Sequence, residues 1–206
     1  MFILTRASAI ENCKDNILRV HDVATEKRHL DAGYHRHDRN YEITEQCKEY
    51  TVVCPEFRND AKGLEPIVVI PDFLVSGRPY PVYVYLYAID IYSNAPEKGQ
   101  RWAAEETRKQ FGLETFAHTT LGRALKAFAR AIGVAEAATG GAEPGTADGG
   151  KVEPPHFPTV KKTEALRKQA SAFLRSKLGQ AWRQTAAAAC GRLAREWFRE
   201  YQRFLL

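Results

Sequence analysis

The chain contains no long uncharged apolar run, and its opening Met1-Phe-Ile-Leu-Thr-Arg6 meets charge too soon for a signal peptide or a membrane span. A cytoplasmic protein with no membrane partner is therefore expected. Cysteine is scarce, four residues in 206, and none sits in a Cys-x-x-Cys pair. Without an export signal, disulfides are not expected. Also missing are a Gly-rich phosphate loop running into Lys-Ser or Lys-Thr and a Gly-x-Ser-x-Gly nucleophile elbow. Cutting DNA with two metal ions needs three separated carboxylates on a large sheet. Asp72, Asp90, Glu105, Glu106 and Glu114 read instead as solvated or capping groups, and Cys190, in an Ala-rich segment with no nearby histidine, reads as a buried thiol. A non-enzyme is expected.

What is present fits a folded chain. Hydrophobic residues make up 44% of the sequence, and the length allows one well-cored domain, alone or with an appended helical piece. Charge is unevenly spread. From Lys161 to Leu206 eleven Lys or Arg face three Glu, a surplus of +8, which leaves −3 on the remainder of a chain with net charge +5. A basic tail on a slightly acidic body suggests an anionic partner, most simply nucleic acid.

Residues 1–69 carry short β-branched runs, Ile17-Leu-Arg-Val20, Tyr50-Thr-Val-Val53 and Ile67-Val-Val-Ile70, which predict a small antiparallel sheet. Residues 70–133 are helical in pattern. Leu121, Leu125, Phe128 and Ile132 recur on one helix face, with Thr119, Gly122, Arg123, Lys126 and Arg130 on the other. Upstream, Arg101 to Phe111 reads as a shorter helix ended by Gly112. Two helices about a short Gly-containing turn suggest a helix-turn-helix, whose second helix lies in the major groove with its N-terminal residues at the bases. His118, Thr119, Thr120 and Arg123 are then the readers, and Lys126 and Arg130 lie near phosphate. An ordinary helical hairpin with a solvated outer face gives the same pattern. Between Pro81 and Ser93, Val82-Tyr-Val-Tyr-Leu-Tyr87 alternates like a buried strand, while Tyr80, Val84, Tyr87 and Ile91 also share one helical face.

Ile70-Pro-Asp-Phe-Leu-Val-Ser-Gly-Arg-Pro-Tyr80, Trp102-Ala-Ala-Glu-Glu-Thr-Arg-Lys-Gln-Phe-Gly-Leu113 and Phe116-Ala-His-Thr-Thr-Leu121 together resemble an uncharacterised bacterial domain family associated with transposases and insertion elements. Members pair an N-terminal zinc ribbon with a helix-turn-helix, and the similarity covers about a third of the chain. The resemblance implies a first helix over residues 82–92 and DNA binding, without an established activity. It also implies a ribbon that is degraded here, since the paired knuckles are missing. Cys47 and Cys54, separated by six residues, with His35 and His37 upstream, are the remaining ligands for zinc; cysteines packed as small hydrophobes and solvated histidines are the main expectation. No cofactor is expected beyond that zinc alternative.

Residues 134–160, rich in Gly, Ala and Pro, predict a flexible linker. Residues 161–206 predict one amphipathic helix or two, with breaks at Gly179 or Gly191. Arg183, Arg192, Arg195, Arg199 and Arg203 line its basic side, as a secondary contact to phosphate. Its apolar stripe must pack on the body, pair with a second copy or bind a partner.

The expectations combine into an α+β chain: a small N-terminal β region, a three-helix helix-turn-helix unit, a disordered linker and a C-terminal amphipathic helix or helix pair. The expected function is non-catalytic reading of double-stranded DNA for a mobile genetic element, as a regulator or as the recognition part of a transposition system. Two alternatives stand beside it: a protein-interaction module working through the C-terminal helix, and a decayed transposon remnant.

Overall fold

A computed structural model describes residues 2–5, 10–13, 15–45, 48–75, 77–139, 160–179, 181–201 and 204–206. The chain is α+β, with the strands in its first third and the long helices after them. The strands are β1 (Phe2–Thr5), β2 (Ile10–Asn12), β3 (Ile17–Val20), β4 (His35–Glu45), β5 (Lys48–Arg58) and β6 (Ile67–Pro71), with α1 (Val23–Asp31) between β3 and β4. The helices that follow are α2 (Val82–Asn94), α3 (Gln100–Gln110), α4 (His118–Thr139), α5 (Val160–Leu178) and α6 (Ala186–Tyr201).

The sheet is mixed, which corrects the antiparallel expectation. β5 is its spine. β4 pairs along one edge in antiparallel register from His35↔Arg58 to Glu45↔Lys48. The other edge is shared end to end: β3 runs parallel to residues 51–53, and β6 runs antiparallel to Glu56 and Phe57. β1 then adds parallel to β6, and β2 antiparallel to β3. The apolar runs predicted as strands supply much of the core, with Val20, Val52, Val53 and Ile67 to Ile70 all buried, and Phe57, further along β5, joins them.

Residues 82–92 are helical, and the structure explains why the sequence reads both ways. Every residue of α2 except Tyr87 and Asn94 is buried, because α3, α4, α5 and α6 all pack against it. A helix covered on all sides has no polar face, so its apolar period vanishes and β-branched and aromatic residues are left to suggest a strand. Pro81 stands at its N-cap, and the Val82 amide, one of the donors left open at a helix start, donates to the Phe73 carbonyl at 2.7 Å.

Gly112 ends α3 as the sequence predicts. With φ +56 it takes the left-handed conformation, its own amide donates to Lys109, and the Leu113 amide donates to Arg108, a Schellman closure. Two boundaries differ from expectation. α4 continues through Gly133 to Thr139, six residues into the segment read as linker, because Ala135-Glu-Ala-Ala138 are good helix formers and Gly133 costs only about 1 kcal/mol in a helix interior. Residues 140–159 of that segment lie outside the described residues. The tail is a helix pair broken at Gly179, whose φ is +78. Gly191 does not break α6; it is buried within it.

The tail docks on α2, and arginines fasten it there. Arg167 donates to the carbonyls of Pro96 (2.7 Å) and Lys98 (3.0 Å) just past the end of α2 and lies 3.8 Å over the Tyr92 ring. Arg175 donates to Asn94 at 2.7 Å, and Arg183 donates through Nε to the buried Asp90 carboxylate at 2.8 Å. Arg195 pairs with Asp72, which follows β6 and is equally buried. Asp72 and Asp90 are therefore neither solvated nor capping, contrary to expectation: each is an interior anion neutralised by a tail arginine.

Candidate nucleic-acid interface

α4 is amphipathic in the way its sequence foretells. Leu121, Ala124, Leu125, Phe128 and Ile132 are at most 4% exposed, and Phe128 meets Phe173 of α5 edge-on at 5.5 Å. On the other side His118, Thr119, Arg123, Lys126 and Arg130 are exposed and Thr120 half-buried. Arg123, Lys126 and Arg130 follow one face with spacings of three and four, so their Cα atoms span about 10 Å of a helix about 33 Å long.

The start of α4 is held from below. Tyr80 donates to the Thr115 carbonyl at 2.5 Å and packs its ring 5.3 Å from Phe116, and Leu113 is buried in the same core. Tyr80, read from sequence only as a core aromatic, thus positions the segment that delivers His118 and Thr119. A tyrosine one residue before the Pro that precedes an apolar helix is a weak signal, and nothing local in the sequence names Thr115 as its acceptor. The α3–α4 connection, residues 111–117, is longer than the three- or four-residue turn of the simplest helix-turn-helix.

The neighbouring surface is nearly charge-balanced. On α3, Arg108 grips Glu105 at 2.8 and 3.0 Å and Lys109 pairs with Glu106 at 3.2 Å. The hydrogen bonds from Arg108 hold the Glu105 carboxyl below its usual range. Among the described residues, Arg123 and Lys126 make no ion pair, so their charge faces solvent.

The secondary basic surface is smaller than the sequence suggests. Arg183 and Arg195 are engaged with Asp90 and Asp72, as above, so their charge joins tail to body and is not offered to phosphate. Arg192 and Arg199 lie on the exposed side of α6, and Arg203 lies outside the described residues.

The zinc alternative gains nothing from the geometry. His35 and His37 are exposed on β4, opposite Arg58 and Glu56, and Cys54 is buried on β5 opposite Arg39. Burial, with the Asp38 charge, pushes the Cys54 thiol up to about 12, whereas a zinc ligand must be a thiolate. Cys47 lies outside the described residues, and among those described no group of three or more His, Cys, Asp or Glu could hold a metal ion. Burial, with the Asp90 charge, raises the Cys190 thiol likewise. At about pH 8 a thiol reagent is expected to label the half-exposed Cys13 and spare Cys54 and Cys190 until the chain unfolds. Peptide mapping after native labelling checks this, and rapid native modification of Cys54 would contradict the packing described.

No described helix is long and apolar enough to cross a membrane. Compared with known proteins, the chain matches no family model, no curated protein and no solved structure.

Proposed function

We propose that the chain binds double-stranded DNA in a sequence-reading manner through α4 and serves a mobile genetic element as a regulator or as the recognition part of a transposition system. The observation that carries the DNA reading is the exposed row Arg123, Lys126 and Arg130 on a helix whose opposite face is fully buried. An α-helix fits a major groove about 12 Å wide, and a bidentate arginine is the commonest specific contact to guanine. His118, Thr119 and Thr120, in the first turn, are the remaining base contacts, and Lys126 and Arg130 neutralise phosphate. The mobile-element assignment rests on the sequence resemblance of residues 70–121. The interaction-module alternative is weakened, since the apolar stripe of α6 that would recruit a partner is buried at Ala189, Cys190, Leu193, Ala194 and Trp197.

Selection of bound duplexes from a random pool at two salt concentrations tests the reading. A consensus should emerge, and Arg123→Ala should lower affinity for it about 10- to 100-fold while barely changing binding to random duplex. Lys126→Ala should weaken all duplexes alike and reduce the salt slope by about one. No enrichment at either salt, or equal effects of both substitutions on selected and random DNA, would defeat the proposal.

A further inference from the structure

We infer that one end of the sheet, where β4 and β5 bring His35, His37, Arg39 and Arg58 together around a buried Glu56, is a binding site for a phosphate group. Side chains alternate along a strand, so His35, His37 and Arg39 stand on one face of β4 in steps of about 7 Å. The register sets Arg58 of β5 opposite His35 and Glu56 opposite His37. Directly opposite side chains in an antiparallel pair start about 5 Å apart, so all five residues form one cluster on one face.

Glu56 forms the base of the cluster. Its side chain is 4% exposed, and a carboxylate so placed needs a cation. Arg58 supplies one, its Nε donating to Oε1 at 2.6 Å, while Arg39 Nη1 stands 3.5 Å from the other oxygen as a second cation where one suffices. Two guanidiniums against one carboxylate leave a charge of +1, and among the described residues neither has another acidic partner. Both are about half exposed, 52% for Arg39 and 48% for Arg58, and Glu56 engages one nitrogen of each, so the other N–H groups are left for a ligand. Glu56 thus acts as a positioning residue for two guanidinium forks. Such forks match the oxygens of carboxylates and phosphates, but one fork already fills the two oxygens of a carboxylate. A phosphate brings about three strong acceptor oxygens and a charge of about −2, which suits both forks and the exposed imidazoles of His35 and His37. The site lies on the sheet and does not rest on the reading of DNA by α4.

Phosphate chemistry comes either from a phosphorylated small molecule or from a nucleic-acid backbone. Calorimetric titration of the full-length protein in low salt, with pyrophosphate, a short oligothymidylate and acetate as probes, tests the site and separates the two sources. Pyrophosphate is expected to saturate with a Kd of roughly 0.1–1 mM, and acetate not to saturate. Tighter binding of the oligothymidylate than of pyrophosphate identifies a backbone as the source, and weaker binding a phosphorylated small molecule. Arg39→Gln, at a half-exposed position, should weaken the preferred probe at least about tenfold. Glu56→Gln keeps an acceptor for Arg58 and removes the opposing charge, so it should tighten that probe about three- to tenfold. A cluster that only neutralises Glu56 would show neither change. The proposal is overturned if neither phosphate probe saturates, if acetate binds as well as pyrophosphate, or if either variant, folded by circular dichroism, binds like the parent. No duplex and no α4 variant enters these titrations, so their outcome is separate from that of the selection experiment.

Discussion

Arg195→Ala is expected to lower the unfolding free energy by about 3–5 kcal/mol, while Arg192→Ala, three residues earlier on the same helix, stays within about 0.5 kcal/mol. The two side chains are chemically identical, and their surroundings decide the difference. Arg195 pairs with Asp72, whose side chain is only 4% exposed, so deleting the arginine leaves a carboxylate in the interior without its cation. Arg192 is exposed, and truncating it uncovers no buried charge. Asp72 is fixed in other ways too: its amide donates to the Thr5 carbonyl at 2.8 Å, and it sits at the end of β6, next to the connector into α2. Urea denaturation of both variants at neutral pH provides the comparison. Similar midpoints for the two would mean that the ion pair does not fasten the tail.

A chain ending at Thr139 is expected to lose cooperative unfolding altogether. Among the described residues, eight buried members of the helical core lie beyond that point: Ala170, Leu174, Trp182, Ala189, Cys190, Leu193, Trp197 and Leu205. Five of them are large, and at about 1.5–3 kcal/mol for each fully buried side chain their loss rivals the whole stability of a typical domain, about 5–15 kcal/mol. The cut would also uncover the α5 and α6 sides of α2, a helix with almost no polar surface of its own. Circular dichroism on heating, together with dye binding to exposed apolar surface, would show a broad transition and a bright dye signal. A sharp melt with no dye binding would establish α2, α3 and α4 as self-sufficient. DNA-binding measurements accordingly need the full chain, since a shortened one would report on folding as much as on recognition.

Local signals were legible in the sequence. The apolar period at Leu121, Leu125, Phe128 and Ile132 predicts both the helix and its buried side, and Gly112 marks the end of α3 because a left-handed residue is needed there. The exposed positions of Arg123, Lys126 and Arg130 follow from the same period. Non-local facts were not legible. Strand-like runs do not carry their pairing direction, so the parallel contacts of β1 with β6 and β3 with β5 had no signature. The arginine surplus after Lys161 looked like a surface for an anionic partner. Its anions are in part internal, and Asp90 lies 93 residues from Arg183. An aspartate amid the apolar residues of α2 was the available hint, since a buried carboxylate requires a cation from somewhere in the fold.

Gly191 meets the same aspartate from α6, and a β-carbon there would stand 2.8–2.9 Å from the atoms of the Asp72 carboxylate. Relatives of this chain, when they are compared, should accordingly inherit positions 72 and 191 as a couple: a larger residue at 191 is tolerable only beside a shortened or apolar one at 72, and the arginine at 195 then loses its reason to persist.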